Sequence, residues 1–114
     1  MTLNILMIND HQSILDGYLS YQTLLDNVQL FTARDEKSAL EILARENIKT
    51  VYCDTSIGGK DLGPQIGVKI NETYPDIVVI GTSTDTEKAK LWEPNFKFEY
   101  QGKLLPQYFM AMDN

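Results

Sequence analysis

Apolar runs of strand length alternate along this chain with stretches whose apolar residues recur at helical spacing. Leu3–Ile8 is almost continuously apolar, which predicts a central strand buried on both faces. Over residues 13–25 the positions Ile14, Leu15, Tyr18, Leu19 and Leu25 form one helical stripe, with Gln12, Asp16, Ser20 and Gln22 elsewhere on the wheel. Val28–Ala33 reads as a second strand. A helix that Asp35 caps follows, turning Ala39, Leu40, Ile42 and Leu43 inward and ending near Glu46 or Asn47. Residues 48–53 make a third strand ending at Asp54, and the loop 55–60 carries Gly58 and Gly59, a pair that demands backbone freedom. Leu62, Ile66, Ile70 and Tyr74 stripe a third helix, with Pro64 in its first turn and Pro75 just past its end. Residues 77–80 are a fourth strand leading into Gly81, Thr82, Ser83 and Thr84. A short fourth helix over 85–92, a half-exposed edge strand over 96–100 and a short fifth helix over 106–112 complete the pattern.

Strands that alternate with helices imply a doubly wound α/β fold: a five-stranded parallel sheet, helices on both faces, right-handed crossovers. The flavodoxin-like order 2-1-3-4-5 makes strands one and three neighbours and opens a crevice beyond their carboxyl ends. The residues directly after the strands therefore carry the chemistry. They are Asn9 and Asp10, then Asp54, then Thr82 and Ser83, and finally Lys103. Asp10 and Asp54 fall on one side of that crevice, and two carboxylates there suit a hard cation such as Mg²⁺, which keeps several waters and takes few protein ligands.

The 114 residues, 43% hydrophobic and 23% charged, fit one domain over 1–114. No apolar run approaches the roughly eighteen residues of a membrane helix. The N-terminal run lacks a basic flank and a small-residue cleavage site, so a cytoplasmic protein is expected. The single Cys53 lies in an apolar run and reads as a buried thiol. A formal charge of −6 disfavours direct contact with nucleic-acid phosphates. Glycine patterns for dinucleotide or P-loop binding are missing, and Asn9-Asp10-His11-Gln12 is no flavin phosphate loop. His11 is the only histidine, which leaves no partner for a catalytic triad or zinc site; it reads as a surface or rim residue. Trp92 and the run Tyr108, Phe109, Met110 read first as core or helix packing.

The stretches Asn-Ile-Leu-Met-Ile-Asn9-Asp10-His11, Val-Tyr-Cys-Asp54, Val-Val-Ile-Gly-Thr82-Ser83 and Tyr100-Gln-Gly-Lys103 resemble, in order and rough spacing, the receiver domain of two-component response regulators. The likeness spans nearly the whole chain, as a stand-alone receiver or an isolated fragment. It implies a CheY-like fold and a phosphorelay role in which Asp54 accepts a phosphoryl group from a histidine kinase or phosphotransfer protein. Any enzymatic activity would then be self-catalysed phosphotransfer and autodephosphorylation at Asp54. It further implies Mg²⁺ held by Asp10, Asp54, the Ser56 backbone carbonyl and, through water, Asn9. Thr82 becomes the hydroxyl that binds a phosphoryl oxygen, Lys103 the cation beside it, and Tyr100 the switching aromatic. Lys97 is a rival for the lysine, fifteen residues after Thr82 where Lys103 is twenty-one. Asn9 stands where the family usually has a second acid, and Leu104 where a proline commonly follows the lysine. A downstream protein or second copy would dock on the face of the fourth helix, fifth strand and fifth helix, with Trp92, Phe109 and Met112 on it. The alternative is a pseudo-receiver that keeps the fold as an interaction module without phosphorylation; a small-molecule-binding flavodoxin-like domain is a more distant third.

Overall fold

The computed structural model describes residues 2–113. Five parallel strands, β1 (Leu3–Ile8), β2 (Val28–Ala33), β3 (Thr50–Asp54), β4 (Val78–Ser83) and β5 (Lys97–Tyr100), form one sheet in the order β2-β1-β3-β4-β5. The expected doubly wound architecture is the one observed. Because β1 is apolar at every position but Asn4, it feeds both cores. Leu6 and Ile8 meet the layer under α2 (Glu36–Arg45) and α3 (Gly63–Thr73), while Ile5 and Met7 meet the layer under α1 (Gln12–Ser20) and α4 (Pro106–Met110). Asp35 caps α2 as expected: its carboxylate accepts from the Ser38 N–H at 2.8 Å in a reciprocal capping box. Pro64 sits in the first turn of α3.

Three elements differ from the hydrophobic pattern. The first helix ends at Ser20, and Tyr21–Leu24 tighten into a 3-10 turn. β4 runs on to Ser83, so Thr82 and Ser83 lie within the strand and not after it. The extension follows from pairing on both sides: Thr82 is the register partner of Asp54 and of Glu99, and Ser83 that of Tyr100. The expected fourth helix is no α-helix. Thr86–Leu91 is a 3-10 segment that ends on Trp92, and α4 is the helix expected fifth.

Trp92 explains that segment. Its side chain is 1% exposed, joins the core beside Val79 and Ile66, and lies flat on β4 where Gly81 leaves room. A Cβ at Gly81 would overlap the indole. The indole N–H donates to Thr55 Oγ1 at 2.8 Å, so the buried polar group is satisfied. Phe109 is likewise fully buried, in the other core. Core packing was the first reading of both residues, and it holds. Their second assignment, to an exposed partner face, does not, because burial takes both side chains off that face.

Candidate functional site

The crevice lies at the carboxyl ends of β1, β3 and β4, where the sheet order changes direction. Asp54 ends β3 and is partly buried; Thr82, 4% exposed, is its register neighbour one strand over. Register partners in parallel strands point to the same face at about 4.8 Å spacing, so Asp54, Thr82 and Glu99 form one row across β3, β4 and β5. Asp10 follows β1 and reaches this row from the other side. One of its oxygens, Oδ2, accepts from the Gly58 N–H at 2.8 Å. That donor is presented by a tight turn in which Ile57 and Lys60 pair antiparallel and Gly58 and Gly59 take φ of 67° and 79°, a left-handed geometry that glycine adopts without strain.

The other Asp10 oxygen, Oδ1, is buried and has no hydrogen-bond partner among the described residues. His11 Nε2 stands 3.6 Å from it, beyond hydrogen-bond distance, on a side chain that is largely exposed. Burial pushes the Asp54 carboxyl up to about 6, and the charge of Asp10 adds to the rise, against the opposing Thr55 backbone N–H and His11. Among the described residues no cation lies within ion-pair distance of Asp54. An orphaned buried carboxylate oxygen beside a carboxyl held above its ordinary range is what a divalent cation would relieve. The donors are hard oxygens, and no three His, Cys, Asp or Glu among the described residues gather into a metal cage. The oxygen donors suit Mg²⁺, which leaves most of its coordination to water and phosphate.

The remaining expected residues are placed as follows. Asn9, 3% exposed, spends its side-chain oxygen on the His11 N–H at 2.9 Å, where it fixes the start of α1. Ser56 is exposed in the loop between Asp54 and the Gly58 turn. Lys103 lies beyond β5 in the 3-10 turn Gln101–Lys103, and its ammonium pairs with Glu99 at 3.6 Å, not with Asp54. Lys97, the rival, is exposed at the start of β5, at the end of the strand away from the row. Tyr100 is 40% exposed and folds over Gly102, so it faces outward. Along β5, Phe98 and Glu99 are half-buried while Lys97 and Tyr100 are exposed.

Thr55 was not singled out by the sequence. It is buried, its hydroxyl donates to the Thr82 carbonyl at 2.8 Å and accepts from Trp92, and its N–H meets the same carbonyl at 2.9 Å. Its only sequence signal was a hydroxyl directly after Asp54.

No protein-family model matches the sequence, and none of the curated proteins compared is similar to it. Solved structures are. The chain superposes on the receiver domain of an HD domain-containing protein from Pseudomonas fluorescens Pf-5 with a TM-score of 0.77 at 20% identity, covering 97% of this chain and 90% of that one. A response regulator from Thermotoga maritima gives 0.78 at 16% identity, covering 98% and 94%. The non-phosphorylated receiver domain of the stress response regulator RcsB from Escherichia coli gives 0.77 at 17%, covering 98% and 93%. The chain therefore has the receiver-domain, CheY-like fold. No helix among the described residues is long and apolar enough to cross a membrane.

Proposed function

We propose that this chain is a phosphoacceptor receiver domain that takes a phosphoryl group on Asp54 from a phosphohistidine of a histidine kinase or phosphotransfer protein, in the cytoplasm. The observation that carries this reading is the pairing of a partly buried Asp54 carboxyl with the orphaned Oδ1 of Asp10 at the sheet's switch point, beside Thr82 in register. Titrating at about 6, Asp54 is mostly ionised at pH 7 and available as a nucleophile. Its carboxylate oxygen attacks phosphorus, the P–N bond of the donor breaks with its electron pair passing to the imidazole nitrogen, and an aspartyl phosphate forms. Asp10 and Asp54 would hold Mg²⁺, with the Ser56 carbonyl. When bound, that ion neutralises charge spread over the phosphoryl oxygens. Thr82 offers a hydroxyl one strand away, and hydrolysis by water at phosphorus returns the free carboxylate.

With Trp92 and Phe109 internal, a downstream protein or second copy on the β5 side would meet Tyr100, Leu105 and Met110, which are exposed. A specific observation favours the second reading, a pseudo-receiver: Lys103 is engaged by Glu99, and among the described residues no cation lies within ion-pair distance of Asp54. Intact-mass measurement after acetyl phosphate, with and without Mg²⁺, separates the two. One added phosphoryl group that needs Mg²⁺ and vanishes in Asp54→Asn supports the phosphoacceptor. Failure of every phosphodonor to label the wild type overturns it in favour of the interaction module.

A further inference from the structure

Glu99 stands in the row of Asp54 and Thr82, on β5, the third strand of that row. An acid is an unexpected residue there, since the row already holds the phosphoacceptor and Asp10 stands beside it. Its side chain is mostly covered and faces the sheet: its charge reaches the Tyr52 hydroxyl on β3, helping burial and the Tyr108 hydroxyl to push that group up. Among the described residues the cation on Glu99 is Lys103, 3.6 Å away, which folds back over the turn after β5 while its side chain stays 69% exposed. The turn is tight. Tyr100 packs over Gly102, where a Cβ would overlap the ring, so the backbone that carries Lys103 is folded against the strand end.

We propose that Glu99 is a positioning residue that holds Lys103 away from the phosphoacceptor in the unmodified protein, and that the phosphoryl group takes the lysine over from it. The inference rests on the phosphoacceptor reading and adds a chain-specific control to it. A phosphoryl group on Asp54 brings about two negative charges, against one on Glu99, and charge-assisted hydrogen bonds to phosphate oxygens are stronger than a 3.6 Å pair at the surface. Exposed pairs of this kind are worth roughly 0.2–1 kcal/mol, so releasing the lysine corresponds to about a 1.5- to 5-fold gain. The exchange also moves charge across the row from β5 towards β3, leaving Glu99 unpaired only when Asp54 is modified.

The test is a double-mutant cycle on the rate of labelling by acetyl phosphate with Mg²⁺, read by intact mass, for wild type, Glu99→Gln, Lys103→Met and the double variant, with far-UV circular dichroism confirming that each is folded. The expected result is a 1.5- to 5-fold faster labelling of Glu99→Gln, slower labelling of Lys103→Met, and no gain from Glu99→Gln once Lys103 is gone. An equal gain in the Lys103→Met background would show that Glu99 acts only as a nearby negative charge and would overturn the proposal, as would no gain in the single variant. Glu99→Ala repeats the cycle if Glu99→Gln does not fold. If wild type and all variants stay unlabelled, the phosphoacceptor reading itself has failed and this inference with it; labelling of wild type with an additive cycle removes only the latter.

Discussion

Asp54→Asn should make the metal-free protein more stable at neutral pH and change little near pH 4. The Asp54 carboxyl titrates at about 6 and not at its ordinary 3.8, because burial strips water from the charged form and Asp10 repels it. In the unfolded chain it keeps the ordinary value. Below 3.8 it is protonated in both states and folding is unaffected. Between 3.8 and 6 the unfolded state ionises first, so stability falls as pH rises, and above 6 the full difference is present. At 1.36 kcal/mol per tenfold change in acidity that difference is about 3 kcal/mol. Asp54 retains some contact with solvent, whose screening reduces the effect to about 1.5 kcal/mol. Asparagine keeps the shape without the charge, so its melting temperature should exceed that of the wild type by roughly 7 °C at pH 7. Thermal unfolding followed by circular dichroism in chelator, from pH 4 to 8, measures it. The gap should open between pH 4 and 6 and narrow when Mg²⁺ stabilises the wild type. Equal stabilities at pH 7, or a gap as wide at pH 4 as at pH 7, would refute an ionisation origin.

Three further outcomes are expected. Asp10→Ala should weaken Mg²⁺ binding at least tenfold by isothermal titration, since it removes the orphaned oxygen and the charge beside Asp54, while Asn9→Asp should tighten it; unchanged affinity in Asp10→Ala would place the metal elsewhere. Gly81→Ala should destabilise the fold by roughly 2–3 kcal/mol in urea unfolding, because its methyl overlaps the Trp92 indole, and should red-shift the Trp92 emission as the ring is expelled; an unshifted, equally stable variant would contradict the packing.

The positions of Asp10 and Asp54 were legible because topology places them. Once Leu3–Ile8 and residues 48–53 read as buried parallel strands, Asp10 and Asp54 had to emerge side by side at their carboxyl ends, whatever the loops did. The Asp35 cap and Pro64 were legible because their signals are local. What lay hidden depends on partners far along the chain. The 85–92 stretch has helix-forming residues, yet its shape is set by one indole seated between Gly81 and Thr55, neither of which marks a tryptophan site in sequence. The exposure of Tyr100 and the burial of Glu99 run against their hydrophobicity, because the turn at Gln101–Lys103 folds the tyrosine over Gly102 and the lysine back to the glutamate.

That contrast also divides the molecule by function. The half built on β1 and β3 holds Asp10 and Asp54, and the sheet fixes where they emerge. The half built on β4 and β5 carries a 3-10 segment where the sequence pattern predicts a helix, a buried tryptophan and a lysine paired to a strand acid. The two halves are joined at Thr55 and Thr82. The Thr82 carbonyl accepts both the N–H and the hydroxyl of Thr55, and that hydroxyl in turn accepts the Trp92 N–H. A displacement of the Asp54–Thr55 backbone therefore strains a buried, fully satisfied hydrogen-bond network, where losing a single bond costs about 1–3 kcal/mol. Trp92 thus joins the 86–91 segment to the backbone that follows Asp54, through the Thr55 hydroxyl.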